Sequence, residues 1–151
     1  HYIKDACILG KDRDYLAALI VIDIDAVGHW AEENGVAYTS FADLSQKPQV
    51  YELVRKEVAH VNGVLPEALA IQRFINLHKE FDPDDGEVTR TRKLRRKVID
   101  AHYAPIIESL YDGRGAIEFE ARISYETGES GTLKRHLAVA DVTGARLAEE
   151  V

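Results

Sequence analysis

The spacing of apolar and polar residues predicts five β-strands in this chain. Residues 6–9 and 15–22 form apolar runs rich in Ile, Val and Leu, and the polar segment 10–14 between them predicts a turn. Residues 71–77 alternate, which predicts a third strand. Two later segments alternate on either side of a predicted turn at 127–131, so they predict an amphipathic hairpin with one buried face. Its apolar positions are Ile117, Phe119, Ala121, Ile123, Tyr125, Leu133, Leu137 and Val139.

The first predicted helix follows the second predicted strand. Asp25 is expected to cap a helix over residues 26–33, because a carboxylate oxygen accepts from the first unpaired helical N–H groups. Val27 and Trp30 are expected on its inner face. The pair Asn34-Gly35 is expected to end the helix.

Helical spacing returns in three later segments. Residues 40–43 predict a brief helical turn, and Pro48 opens a longer helix that is expected to end at Asn62-Gly63. Residues 94–111 predict a helix that Pro105 kinks or restarts. Together these elements predict an α+β fold, with a small mixed β-sheet flanked by helices and an added C-terminal β-hairpin. The stripe expected to face the core of the long helix contains Val50, Leu53, Val54, Glu57, Val58 and Val61.

A dense basic cluster lies between a turn and a predicted helix. Six of the eight residues from Arg90 to Lys97 are basic, whereas the whole chain has a formal net charge of −7. Fixed cations near helical N–H groups attract phosphate, and a lysine can stabilise charge that develops on a phosphoryl oxygen. A solvated helix start without a function fits the same pattern. The charge pattern alone therefore leaves both interpretations open.

The composition of the chain excludes several classes of protein and several kinds of site. The chain has 151 residues, of which 46% are hydrophobic, which predicts one soluble domain with a core and no membrane span. No basic face extends beyond the cluster, so no nucleic-acid partner is expected. The single Cys7 excludes an intramolecular disulfide and is expected to be a small buried hydrophobe in a reducing compartment. The six histidines lack metal-ligand spacing and are expected to be exposed or half-buried.

Several blocks of the sequence are similar, in order, to the small C-terminal domain of long-chain fatty-acid–CoA ligases. The most specific block is Glu80-Phe81 followed by residues 86–97, which resembles the family pattern EF…nGeLTPTLKlrRk. The resemblance covers about residues 2–111. Because the chain begins with His1 and contains no methionine, it is expected to be a fragment of a longer protein. The other similar blocks are residues 2–6, 15–23, 30–35, 38–41, 61–62 and 73–74.

The resemblance implies a function for the basic cluster. These ligases are AMP-forming enzymes that join a fatty acid to AMP using ATP and Mg²⁺, and then transfer the acyl group to CoA. A large N-terminal domain binds ATP and fatty acid, and the small domain rotates between the two half-reactions. The motif lysine, which reaches the α-phosphate and the carboxylate, is matched by Lys93. Arg95 and Arg96 match the basic positions after it, and are implied either to contact CoA or nucleotide phosphates or to hold the interdomain surface.

Two departures from the family pattern affect the loop. Arg90 stands where the family has proline, and Arg92 stands where it has leucine, which implies a more basic and less rigid loop. The resemblance also implies a division of the chain. Residues 1–112 are expected to be the mobile domain, and residues 113–151 are expected to be a hairpin extension packed on it.

The sequence leaves other functions open. One alternative is a non-catalytic module that binds phosphate or an acidic partner, and another is an AMP-forming synthetase that acts on a different carboxylate. The fragment alone is expected to be inactive and to bind no cofactor tightly, because the implied substrate pocket belongs to the large domain. The full-length enzyme is expected to be cytoplasmic, with peripheral membrane association left open.

Overall fold

Strands and helices follow one another along the chain in the computed structural model, which describes residues 1–124 and 130–144. The predicted α+β class, with a small mixed sheet, flanking helices and a hairpin, is confirmed. No helix in the described part of the chain is long and apolar enough to cross a membrane. The strands are β1 (Ile3–Leu9), β2 (Leu16–Ile22), β3 (Ile71–Asn76), β4 (Ala116–Ser124), β5 (Ser130–Ala138) and β6 (Ala140–Asp141). The helices are α1 (Ile24–Glu33), α2 (Phe41–Ser45), α3 (Pro48–Val64), α4 (Arg96–His102) and α5 (Ala104–Ser109), with a 3₁₀ helix at Glu67–Leu69.

The main sheet has the strand order β1-β2-β3-β6. Strands β1 and β2 are antiparallel, β2 and β3 are parallel, and β6 is antiparallel to β3. Strands β4 and β5 form a separate two-stranded antiparallel sheet. The connection between the parallel strands contains α1, α2 and α3, as such a connection requires a long crossover.

The core lies on both faces of the main sheet, so β2 is buried along nearly its whole length. Ala17, Leu19 and Val21 contribute to the core under α4, α5 and the β4–β5 hairpin. Ala18, Ile20 and Ile22 contribute to the core under α1, α2 and α3. This explains why β2 reads as a continuous apolar run, since a strand covered on both faces needs apolar residues at every position. Cys7 is fully buried in the first core, as predicted.

Two predicted helix boundaries were wrong. Asp23, and not Asp25, caps α1, because its Oδ1 accepts hydrogen bonds from the backbone N–H groups of Asp25 (3.0 Å) and Ala26 (3.1 Å). Strand β2 ends at Ile22 and α1 begins at Ile24, so Asp23 is the single residue between them and takes the capping position. At the other boundary, α3 continues through the predicted end to Val64.

Asn62 explains the second error. Its side chain is buried, and it pairs with the backbone of the first residue of β3: Nδ2 donates to the Ile71 carbonyl and Oδ1 accepts from the Ile71 N–H, both at 2.8 Å. Asn62 therefore faces inward and positions β3, whereas the neighbouring Val61, predicted to face the core, is 45% exposed.

The C-terminal hairpin continues into the main sheet. After β5, the chain forms the short strand β6, which the sequence did not predict and which pairs with Arg73 and Phe74 of β3. The Tyr51 hydroxyl donates to the Ala138 carbonyl (2.7 Å), which ties the end of β5 to α3. Leu137 is fully buried, as predicted, but the prediction for Leu133 was wrong because it is 39% exposed. In the predicted turn, Gly131 belongs to β5 and residues 127–129 lie outside the described residues, as do the side chains of Ala121, Ile123 and Tyr125.

His78 contradicts the expectation that the histidines are exposed or half-buried. It is 6% exposed, and its ring packs between those of Tyr103 (6.4 Å between ring centroids) and Phe119 (5.6 Å). Burial lowers the pKa of His78 to about 4, and the positive charges of Lys79 and Arg135 add to this effect. His78 is therefore neutral in the folded protein at neutral pH.

This buried histidine predicts a loss of stability in mild acid. In the unfolded chain its pKa is 6.5, so between pH 6.5 and pH 4 the unfolded state binds more protons than the folded state, and stability falls as pH falls. From pH 7.5 to pH 5 the free energy of unfolding should decrease by about 2 kcal/mol through this group. Urea unfolding of wild type and His78→Phe across this range measures the difference.

The exposed His29 of α1 provides the control for this measurement. His29→Gln should keep the pH dependence of the wild type, because the His29 side chain is 72% exposed. A wild-type slope that persists in His78→Phe would assign the acid sensitivity to other groups.

Candidate functional site

The basic cluster forms a tight hairpin loop. Val88 and Leu94 form an isolated antiparallel bridge, and the Thr89 N–H donates to the Lys93 carbonyl at 2.8 Å. The Arg92 N–H donates to the Thr89 carbonyl at 2.9 Å, which closes the turn. We call residues 87–95 the lysine hairpin. Its tip is formed by residues 90–92, and Lys93 follows immediately with an exposed side chain.

The side chain of Thr89 adds a further hydrogen bond beside the lysine. Its Oγ1 accepts from the Lys93 N–H at 3.0 Å, so both strands of the hairpin are joined at the residue that carries the ammonium group. The Lys93 backbone thus makes two hydrogen bonds to Thr89, one through its N–H and one through its carbonyl. The backbone of Lys93 is held while its long side chain extends toward solvent.

Arg92 has an unusual backbone conformation. Its φ of 69° lies in the left-handed region, where a three-residue hairpin loop places its last residue. This conformation costs a residue with a Cβ about 1 kcal/mol. The Arg92 guanidinium donates to Asp5 Oδ2 of β1 at 2.8 Å. This ion pair attaches the loop to β1, a constraint that the sequence did not indicate.

The base of the lysine hairpin contains a buried carboxylate. Glu87 is 1% exposed, and its Oε1 accepts from Lys79 Nζ (2.8 Å) and from the Asp82 N–H (3.0 Å). Its Oε2 is hydrogen-bonded to His102 Nδ1 of α4 at 2.9 Å. Burial raises the pKa of Glu87, but the hydrogen bonds from Lys79, His102 and the Asp82 N–H outweigh burial, so the pKa lies below its usual value. Glu87 is therefore ionised at neutral pH.

Sequence reasoning missed this cluster. Lys79 lies eight residues before Glu87, and His102 lies fifteen residues after it. The three belong to different elements, so no periodic spacing connects them. The only sequence signal was Glu87 itself, which matches the glutamate of the family pattern and is followed directly by the apolar Val88.

The other two predicted site residues lie at the start of α4 and do not meet Lys93 in one pocket. Arg95 precedes the first residue of α4, is exposed, and donates its backbone N–H to the Glu87 carbonyl at 2.9 Å. The Arg96 guanidinium donates to the Ile8 carbonyl of β1. Arg96 lines a surface groove of about 560 Å³, whose lining includes neither Lys93 nor Arg95.

The groove beside Arg96 combines apolar and charged walls. Its lining includes the apolar Leu9 and Ile107, four cations, and the carboxylates of Asp100 and Glu108. Part of this charge is already compensated, since Arg13 pairs with Glu108 and lies over the Tyr111 ring, 4.4 Å from its centroid. Among the described residues, no group of three or more His, Cys, Asp or Glu side chains could hold a metal ion.

The arrangement presents one ammonium group on a braced loop. Three backbone hydrogen bonds, from Thr89, Arg92 and Arg95, close the lysine hairpin, and the Arg92–Asp5 and Glu87 contacts attach it to the sheet and to α4. Lys93 does not line the described groove. A fixed, exposed cation of this kind can stabilise a developing negative charge on a molecule that is bound elsewhere.

Comparisons with known proteins concern the family and the fold of the chain. Residues 1–115 match the family model described as the AMP-binding enzyme C-terminal domain. The chain is 32% identical over 111 residues to the long-chain-fatty-acid–CoA ligase FadD15 of Mycobacterium tuberculosis, which covers 73% of this chain and 18% of that protein. It is 37% identical over 103 residues to the putative fatty-acid–CoA ligase fadD11 of the same species, covering 68% of this chain and 18% of that protein. The chain thus spans less than a fifth of these relatives.

A solved structure supports the fold. The adenylation domain of a carboxylate reductase from Mycobacterium chelonae aligns with a TM-score of 0.53 at 21% identity, over 72% of this chain and 15% of that one. At this identity the likeness concerns the fold alone.

Proposed function

The chain belongs to the AMP-binding enzyme C-terminal domain family, and from this premise we propose that it supplies Lys93 to the adenylation step of a long-chain fatty-acid–CoA ligase. The observation that carries the proposal is the exposed Lys93 ammonium on the braced hairpin. In the proposed reaction a fatty-acid carboxylate attacks the α-phosphorus of ATP and pyrophosphate leaves. The sulfur of CoA, after losing its proton, then attacks the acyl carbon of the adenylate, and AMP leaves. Lys93 acts in the first half-reaction.

The chemistry suits a lysine at this position. Phosphoryl transfer depends on positioning and on cations that meet the charge on the phosphate oxygens. An ammonium group on a flexible four-carbon stem is a compact point charge that can reach into a neighbouring site. The hydrogen bonds between Thr89 and Lys93 fix the origin of that stem. The lysine is therefore positioned without being enclosed by its own domain.

We assign the remaining substrates to a large N-terminal domain. ATP and fatty acid would bind there, and Mg²⁺ would bind with the phosphates of ATP. The small domain would rotate between half-reactions, bringing Lys93 to the α-phosphate in one pose and withdrawing it in the other. The chain covers only 18% of the FadD15 ligase, which is consistent with a large additional domain in the full-length protein.

Arg95 and Arg96 are assigned supporting roles. Arg96 lines the groove and is held by the Ile8 carbonyl, whereas the exposed Arg95 side chain lies at the start of α4. Either could contact a phosphate of CoA or nucleotide, or contribute to the interdomain surface. Alanine substitution of each, with CoA transfer measured separately from adenylation, distinguishes these two roles.

The direct test is fatty-acid-dependent exchange of pyrophosphate into ATP. The full-length protein should catalyse this exchange, and residues 1–151 alone should not, because the substrate pocket is assigned to the other domain. Exchange by the isolated chain would overturn the proposal. Salt-sensitive binding of an acidic partner by the isolated chain, with Lys93 no more important than Arg96, would favour the non-catalytic alternative. Exchange that depends on another carboxylate would favour a related synthetase.

A further inference from the structure

We propose that Glu87 is a positioning residue that sets the direction in which the lysine hairpin presents Lys93. The inference rests on the proposed function, since it assigns to Glu87 a role in the step that Lys93 serves. It concerns a buried carboxylate that does not touch substrate. The geometry around its two oxygens and its backbone carries the argument.

The carboxylate joins three separate parts of the domain. Lys79 lies just after β3, Asp82 begins the turn before the hairpin, and His102 is the last residue of α4. Glu87 contacts all three within 3.0 Å. One side chain therefore fixes the hairpin to the sheet, to the preceding turn and to the helix that follows.

The backbone carries this constraint to the lysine. The Glu87 carbonyl accepts from the Arg95 N–H at 2.9 Å, which forms the lowest rung of the hairpin. Val88 and Leu94 pair at the next rung, and Thr89 and Lys93 pair at the third. A change in the orientation of Glu87 would therefore move Lys93, because these three backbone pairings connect the two residues.

Burial makes the charge of Glu87 difficult to replace. The carboxylate is nearly inaccessible to water, so water cannot easily take its place as the acceptor for the Asp82 N–H and as the partner of His102. Glu87→Gln has almost the same size, but it removes the negative charge that the Lys79 ammonium meets and replaces one of the two acceptor oxygens by an NH₂ group. The variant should keep the fold and loosen the hairpin. Displacement of a catalytic group by about 1 Å can cost about 100-fold in rate.

The experiment uses the full-length enzyme and measures the two half-reactions separately. In Glu87→Gln, adenylation should slow about 10- to 100-fold with the KM for ATP unchanged, because ATP binding is assigned to the other domain. Transfer from preformed acyl-adenylate to CoA should remain unchanged. Hydrogen exchange of a peptide spanning residues 88–95 should accelerate, whereas peptides from β2 and β3 should keep their protection. Glu32→Gln on the exposed surface of α1 is the matched control and should change none of these quantities.

Each contrary result has a distinct meaning. Wild-type adenylation in Glu87→Gln, alongside a large loss in Lys93→Ala, overturns the role of Glu87 and leaves the proposed function intact. An equal loss in both half-reactions shows a general structural role and also overturns the inference. If Lys93→Ala leaves adenylation intact, the proposed function fails. In that case faster exchange in residues 88–95 still supports anchoring by Glu87, and unchanged exchange overturns it.

Discussion

Replacing Lys93 by alanine in the full-length protein should slow acyl-adenylate formation about 100- to 1,000-fold, the range found when one preorganised donor is removed from a reaction centre. The physical reason is the loss of the ammonium group that, in the proposed function, meets charge on the α-phosphate and on the attacking carboxylate. Transfer of the acyl group from preformed adenylate to CoA should stay within about twofold, because the proposed rotation withdraws Lys93 in that step. Single-turnover measurements of each half-reaction give both rates.

Two variants in the same hairpin serve as controls. Arg90→Ala removes an equally exposed cation three residues away, and it should have a much smaller effect on adenylation. Lys93→Arg keeps the positive charge but replaces the compact ammonium with a planar guanidinium, so partial activity is expected. Arg92→Ala also removes a cation, but it breaks the Asp5 ion pair and is therefore a less clean control.

The pattern of losses separates catalysis from simple charge attraction. If Arg90→Ala and Lys93→Ala reduce adenylation equally, the hairpin acts as a general basic surface and the assigned role of Lys93 is wrong. If Lys93→Ala reduces both half-reactions equally, rotation of the domain does not explain the position of the lysine. High salt should weaken a general charge effect more than a contact inside a closed site.

Short-range patterns predicted much of the fold. Strand β2 was predicted because seven successive residues are apolar. A strand that is buried on both faces shows such a continuous apolar run and no alternation of apolar and polar residues. The start of α3 was correct because proline suits the first turn of a helix. The α1 cap was misplaced because Asp23 and Asp25 are chemically equal candidates, and only the end of β2 at Ile22 decides between them.

Long-range pairings were not predictable in the same way. Strand β6 has two residues, and its existence depends on the open edge of β3 rather than on its own sequence. Leu133 and Leu137 have the same parity along β5, yet only Leu137 reaches the core, because the hairpin extends beyond the layer it covers. His78 is buried by the aromatic rings of Tyr103, which lies between α4 and α5, and of Phe119 in β4, both more than twenty residues later in the chain.

In the candidate site, too, the sequence indicated residues of a local motif but not contacts between distant residues. The motif match indicated Lys93 as a single residue, and local hydrogen bonds explain how the loop presents it. Arg95 and Arg96 were grouped with it by sequence, but adjacent residues at the start of a helix point in different directions, and only Arg96 lines the groove. Glu87 required the structure, since its partners are Lys79 and Asp82 in the segment after β3 and His102 at the end of α4.

Removing everything after residue 115, where the family match ends, should unfold the remaining chain. The segment contributes Ile117, Leu137 and Val139 to one core and Ala140 and Val142 to the other. Burying a large aliphatic side chain contributes about 1.5–3 kcal/mol, so the total loss is on the order of 10 kcal/mol. Whole domains are stable by only about 5–15 kcal/mol. Circular dichroism and urea unfolding of residues 1–151 and 1–115 measure the loss.

A matched pair of leucines in β5 tests the same argument without truncation. Leu137 is fully buried, so Leu137→Ala should cost about 3 kcal/mol of unfolding free energy, whereas Leu133→Ala should cost less than about 1 kcal/mol. Equal effects, or a 1–115 chain that unfolds at the wild-type urea midpoint, would show that the hairpin is a dispensable extension. We propose the opposite: because β6 also covers the edge of β3 and the Tyr51 hydroxyl donates to the Ala138 carbonyl, the residues on the two sides of the predicted division at residue 112 belong to one folding unit.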